Sequence, residues 1–162
     1  MRLAALAAAV LVLAPAAAAS LPRYGTLVPG SSLGGIRIGE TERQVRAALG
    51  SGFGLCASCP RTTWYYTVKP FDQHGLGVEF TRGRVSAVYT LDEPTGWKGP
   101  KGIMLGDVEA TVTTNAGPLL VVTCPLYAAW VFDGRHARTV YYIFDGNLWG
   151  FGLMQPHADP CR

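Results

Sequence analysis

This sequence is poor in charge. Only 15% of its 162 residues are Asp, Glu, Lys or Arg, against about a quarter in an average globular chain. The 14 basic residues are scattered and met by 11 acidic ones, so no basic stripe marks a nucleic acid or an anionic membrane as a partner. Metal-site spacing is missing too. The three histidines, His74, His136 and His157, share no ligand spacing, and the single Cys-x-x-Cys, Cys56–Cys59, has no second pair to complete a zinc site. Gly50-Ser51-Gly52-Phe53-Gly54 follows a helical stretch rather than opening one, so it is no phosphate loop. Gly30-Ser31-Ser32-Leu33-Gly34 has the letters of a nucleophile elbow, but the extended Ile36–Ile38 follows it and the chain is too short for the sheet that motif needs. Asp72-Gln73-His74 reads as a turn, and Asp92-Glu93, beside Pro94, as solvated charge. The expectation is no catalytic residue, no cofactor and no metal.

Long apolar runs are confined to the start. Arg2, the apolar Leu3–Leu13 and Ala17-Ala18-Ala19 before Ser20 have the form of a secretory signal peptide over Met1–Ala19. Pro15 interrupts the run well short of the roughly 20 apolar residues a membrane span needs. No membrane anchor is expected after cleavage, and the mature chain is expected to be secreted or otherwise extracytoplasmic. Four cysteines in such a chain imply disulfides, with three possible connectivities. Cys56–Cys59 with Cys124–Cys161 is favoured, the first pair being adjacent and the second tethering the C-terminus to the sheet. A Cys-x-x-Cys also admits thiol–disulfide chemistry. A thioredoxin-like motif, however, stands between a strand and a helix, and this one comes after a helix and before a strand.

What is present in strength is an internal match. Gly35–Gly50 (GIRIGETERQVRAALG) recurs as Gly102–Gly117 (GIMLGDVEATVTTNAG) without a gap. Ile36 and Ile38 form a short extended lead. Thr41-Glu42-Arg43-Gln44 has the form of a capping box, Val45, Ala48 and Leu49 share a helical face, and Gly50 stops the helix. In the second copy Asp107 is placed to cap a helix reaching Asn115, weakened by its Thr and Val residues. Strand-like segments follow each copy: Thr62–Val68, Leu76–Thr81 and Arg84–Leu91, then Tyr127–Phe132, His136–Phe144 and Asn147–Leu153. Arg82-Gly83, Asp133-Gly134 and Asp145-Gly146 supply hairpin turns. The expected architecture is α+β: two tandem helix-plus-antiparallel-sheet repeats, the helices packed on one face of the sheet. Residues 20–33 form an irregular lead-in, 34–92 the first repeat, 93–101 a linker and 102–162 the second. Neither repeat is large enough to be stable alone, so one shared core is expected.

This pattern resembles the SmpA/OmlA-type lipoproteins of the outer-membrane assembly machinery. The matching residues are Ile36, Ile38, Gly39, Thr41, Val45, Leu49 and Gly50, then Ile103, Leu105, Gly106, Val112 and Gly117. The tandem arrangement on an exported chain is similar to the β-lactamase inhibitory proteins. The lipidated Cys of the lipoproteins has no counterpart here. The resemblance to the inhibitors implies a non-enzymatic chain that blocks another protein with its open sheet face and hairpin loops, one of which carries an Asp. By loop position that residue is Asp72, within Lys69–Gly75.

Strand alternation adds a candidate surface. In the first copy Trp64, Tyr66, Val78, Phe80, Val85 and Ala87 share the core phase, and the opposite phase is mostly polar. In the second, Tyr141, Ile143 and Leu148 take the core phase, while the opposite one carries Val140, Tyr142, Phe144, Trp149 and Phe151. That second face is either covered by the lead-in or C-terminal tail, or exposed as an interaction patch. The candidate partner-binding residues are Tyr142, Phe144, Trp149, Phe151 and Asp72. A secreted module for an unidentified protein partner is the leading reading, with an envelope assembly protein and a thiol oxidoreductase using Cys56 and Cys59 as alternatives.

Overall fold

A computed structural model describes residues 25–67, 75–91 and 96–161. The expected signal peptide, the first residues of the lead-in, Asp72 and Asp92-Glu93 lie outside the described residues. A two-stranded ribbon comes first, β1 (Leu27–Val28) with β2 (Ser32–Leu33), then helix α1 (Glu42–Leu49). Strands β3 (Gly54–Leu55), β4 (Thr62–Thr67), β5 (Gly75–Thr81) and β6 (Arg84–Leu91) follow. Helix α2 (Glu109–Ala116) precedes β7 (Leu120–Thr123), β8 (Ala128–Asp133), β9 (Arg138–Phe144) and β10 (Asn147–Met154).

The eight longer-range strands make one antiparallel sheet in the order β3-β4-β5-β6-β10-β9-β8-β7. Each half is a four-strand meander, and the two meet where β6 pairs with β10 through Tyr89–Gly152, Val88–Leu153 and Ala87–Met154. The tightest turns fall where expected. Arg82-Gly83 and Asp145-Gly146 both hold positive φ (53° and 71°, 48° and 73°), the left-handed pair that a two-residue hairpin of this twist requires.

The expected α+β class, with helices as a layer packed on one face, is overturned. Among the described residues there are two helices of eight residues each, set beside an eight-stranded sheet. The chain is predominantly antiparallel β. The reason lies in the helical stretches themselves. α1 has its capping box, the Thr41 hydroxyl accepting from Gln44 N and the Gln44 amide oxygen from Thr41 N, but Gly50 ends it after two turns, with only Val45 and Leu49 buried. α2 is Thr-rich, has no side-chain cap and buries only Val112. Asp107 does not cap it: its carboxylate accepts from Met104 N at 2.7 Å, closing the preceding turn. Most of that sheet face is covered instead by non-helical chain. Residues expected to be an irregular lead-in on the surface bury Leu27 and Leu33, and the supposed linker buries Trp97 completely. Gly25 and Gly34 lie directly on the Trp97 indole, where a Cβ at either would collide with the ring.

The matching sequence stretches make the same backbone bonds to their own meanders. Gly39 N donates to Val85 O and Val85 N to Glu40 O; Gly106 N donates to Leu148 O and Leu148 N to Asp107 O, each at 2.8 Å. One apolar cluster under this covered face runs from Trp64, Val78 and Val88 to Trp130, Tyr141 and Phe151, and so spans both halves. On the opposite face a second cluster joins Ala87, Tyr89, Ala129, Val131, Val140, Tyr142 and Met154.

Candidate functional site

The second face is partly roofed. After β10 the chain turns back: Gln155 N donates to Ser86 O, and Arg138 holds the tail by donating to Ala158 O at 2.7 Å. The same guanidinium pairs with Asp133 at 2.6 and 3.1 Å, and this hydrogen-bonded charge holds the Asp133 carboxyl below its ordinary range. Tyr127 donates its hydroxyl hydrogen to Pro160 O, and Cys161 is bonded to Cys124. Ala158 and Cys161 thereby cover one end of the second cluster. Both expected disulfides, Cys56–Cys59 and Cys124–Cys161, are formed, and no described cysteine is free. Such bonds belong to chains matured in oxidising compartments. Cys56–Cys59 closes the loop between β3 and β4, with no helix after it.

At the other end, beyond the part covered by Ala158 and Cys161, lies a cavity of about 440 Å³. Tyr89, Tyr127, Tyr142, Phe144 and Trp149 line it, with Leu126 and Glu79. Glycines make room for its floor. The Tyr89 ring lies over Gly77 on the neighbouring strand and the Tyr142 ring over Gly152, and a Cβ at either glycine would collide with the phenol. Tyr127 meets Tyr142 edge to face at 5.5 Å, and Phe144 and Trp149 are 6.0 Å apart. Leu126 (79% exposed), Phe144 (52%) and Trp149 (37%) form an apolar rim. Behind Phe144 and Trp149 a second hollow, of about 580 Å³, is bounded by Met104, Leu105 and Asn147. The two rings therefore stand as a ridge between two depressions.

The sequence-derived candidates separate here. Tyr142 is buried in the cavity floor, while Phe144 and Trp149 are exposed at its rim. Phe151 is completely buried in the first cluster, on the other side of the sheet. Asp72 lies outside the described residues. The displaced residue has a definite cause. The β9–β10 register slips between Leu148 and Gly150, leaving Trp149 as the extra residue of a β-bulge. Strict alternation puts Trp149 and Phe151 on one face; the bulge sends Trp149 outward and returns Phe151 to the core. The same slip occurs in the first half, between Glu79 and Phe80 opposite Val85 and Ala87, with Ser86 as the extra residue. Ala87 thus belongs to the second cluster and Val88 to the first. Sequence reading missed Tyr89, Tyr127, Leu126 and Glu79. The two-sided run in β6 was a signal for the first, and Leu126 beside Tyr127 in a Pro-started turn was a signal for the loop.

Among the described residues no three His, Cys, Asp or Glu side chains gather to hold a metal, and no helix is long and apolar enough to cross a membrane. The cavity is a binding shape with apolar walls and one carboxylate.

No protein-family model matches the chain, and no curated protein matches it. Among solved structures it is similar to a DUF4309-family protein, YjgB of Bacillus subtilis, at 17% identity and a TM-score of 0.53, covering 76% of this chain and 84% of that one. It is more distantly similar to an extracellular protein containing an SCP domain from Bacillus anthracis, at 13% identity and a TM-score of 0.46, over 73% of this chain and 44% of that one. At such identities the likeness to YjgB is one of fold.

Proposed function

We propose that this chain is an exported, non-catalytic protein-binding module whose partner docks on the Phe144–Trp149 ridge. The observation that carries this reading is Trp149 itself: a large aromatic side chain raised on a β-bulge, beside Phe144 and Leu126, with a hollow on either side. Aromatic residues of this kind dominate interface energetics, since they bury much area with few rotors to freeze. The resemblance of Gly35–Gly50 and Gly102–Gly117 to the β-lactamase inhibitory proteins makes inhibition of another protein the first form of binding to test. Export is supported by the signal-like Met1–Ala19 and the two disulfides.

The test is capture and measurement. The oxidised mature protein is immobilised and challenged with the extracellular fraction of its own source, beside Trp149→Ala and Phe144→Ala. A partner retained by the parent chain should be lost from both variants. Its purified form should bind Trp149→Ala more weakly by about 2 kcal/mol or more, the range of an interface hot spot. A partner that binds parent and variants equally would remove the ridge from the interface.

A further inference from the structure

Charges that lie scattered along the sequence are sorted by the fold. The two matching stretches hold the hairpin turns of their own halves in the same way. Gly39 and Glu40 are bonded to Val85, and Gly106 and Asp107 to Leu148. Thr41 forms a β-bridge with Arg84, as Val108 does with Asn147. The two frames are alike, but their charges are not. Residues 35–50 with 81–86 carry five arginines and two acids, a net of +3. Residues 102–117 with 144–149 carry three acids and no Lys or Arg, a net of −3. Antiparallel pairing sends them to opposite ends of the sheet: Ala87, near the start of β6, lies beside Met154 at the end of β10. The Arg82-Gly83 and Asp145-Gly146 turns therefore point in opposite directions. Each of these strands has eight residues and is roughly 25 Å long, so the ends are at least that far apart. Screening acts over about 8 Å in physiological salt. Neither end neutralises the other.

Both ends are open to solvent. Arg37, Arg43 and Arg82 are exposed and have no ion pair among the described residues, while Arg84, also exposed, donates to Gly39 O at 2.9 Å. Arg46 is held by Glu42 and the Trp64 ring. At the other end Glu109 and Asp145 are exposed without an ion pair among the described residues, and the apolar Met104, Val108 and Phe144 stand exposed beside them. We propose that the basic end docks the acidic end of a second copy of this chain. Charge names the occupant: the same molecule presents at its far end the same backbone frame with the opposite sign. Met104, Val108 and Phe144 give that contact apolar area to bury. Opposite charges steer the two ends together and fix their orientation. The contact is heterologous, since its two surfaces differ. Every copy that joins leaves one basic and one acidic end free, so association grows into open chains rather than stopping at a pair. This inference does not rest on the ridge partner, which is read by capture from the extracellular fraction, whereas self-association is read on the pure chain.

The experiment is sedimentation velocity of the full mature, disulfide-bonded chain over a concentration series, at about 0.05 M and about 1 M salt. At low salt the mean mass should climb with concentration and pass the dimer without a plateau. At high salt the association should weaken about tenfold or more. Two charge-reversed variants complete the test. Glu109→Arg with Asp145→Arg makes both ends basic, and the equivalent left-handed turn position already holds an arginine, Arg82, at φ 53°. Arg43→Glu with Arg82→Asp makes both ends acidic, with an aspartate again in a position of that kind, as Asp145 is at φ 48°. Each variant alone should stay monomeric at concentrations where the parent associates, and an equimolar mixture of the two should associate again. A parent chain that stays monomeric at low salt would overturn the proposal, as would association that ignores salt or survives either reversal, or a mixture that stays monomeric. A parent that leaves its own copies alone but binds a soluble polyphosphate would overturn it too, since the basic end would then serve another anion. Should one variant not fold, the other variant and the parent's salt dependence still decide it.

Discussion

Trp149 and Phe151 are two positions apart and have opposite surroundings, which makes them a matched pair for mutation. Phe151 is completely buried, so Phe151→Ala should lower stability by about 3–5 kcal/mol, the cost of emptying an aromatic site in a core. Trp149 stands on the bulge with 37% of its surface exposed, and Trp149→Ala should cost only about 1 kcal/mol. Denaturant curves of both variants beside the parent chain check this, and a reversed order would place the bulge one residue away. Two buried phenols give a second test. Burial pushes Tyr66 up to about 12 against the opposing pull of Arg46, and burial pushes Tyr141 up to about 12 as well. The folded state thus prefers the neutral phenols: their contribution is whole below about pH 10, the ordinary tyrosine value, and is lost as pH rises towards 12. Stability should fall between pH 10 and 12, with these two phenols ionising at 295 nm only as the chain unfolds. Tyr66 also donates to Gly50 O at 3.1 Å, so Tyr66→Phe should cost about 1 kcal/mol near neutrality and soften the alkaline loss. A parent chain equally stable at pH 9 and 11.5 would contradict this.

At the scale of elements, the two disulfides differ in what they restrain. Cys124–Cys161 spans 37 positions and Cys56–Cys59 only 3. On the chain-entropy view, removing the long closure by Cys124→Ser with Cys161→Ser should cost about 4 kcal/mol, and removing the short one about 2. The first pair of substitutions should also bare the Met154 end of the second cluster and raise binding of a hydrophobic dye, which the second should not. Hairpin turns and most strands were legible in the sequence because their signals are local: Arg82-Gly83 and Asp145-Gly146 carry their own backbone geometry. The capping box at Thr41 was legible for the same reason. Ser86 and Trp149 were not, since a bulge exists only relative to the strand opposite, and one unread bulge misassigned Phe151. Trp97 and Leu27 were hidden by glycine- and proline-rich neighbours that look like exposed loop, though there the glycines serve to admit the indole. β7 and the two-residue β3 are too short for alternation to register. Of the candidate site, the rim was found through Phe144 and Trp149; its floor, set by Tyr89 lying across Gly77, depends on a neighbouring strand.

For the molecule as a whole, the helices contribute three buried side chains, while the first cluster crosses the middle of the sheet without a break. Unfolding should therefore be one cooperative transition, with calorimetric and van't Hoff enthalpies in agreement; two resolved transitions would mean that the halves are separate units. The strand order has a further consequence, for the time before the chain is complete. β6 is an inner strand only because β10 lies beside it, and β10 is the last of the described strands. A chain made from its N-terminus holds everything needed for the first meander long before that strand exists. Until Asn147–Met154 arrives, the future centre of the sheet is an open edge, with the apolar Val85, Val88 and Tyr89 along it and unpaired backbone groups facing any similar strand nearby. The protein's period of greatest aggregation risk is thus written into the order of its strands, and it lasts until Asn147–Met154 has been made.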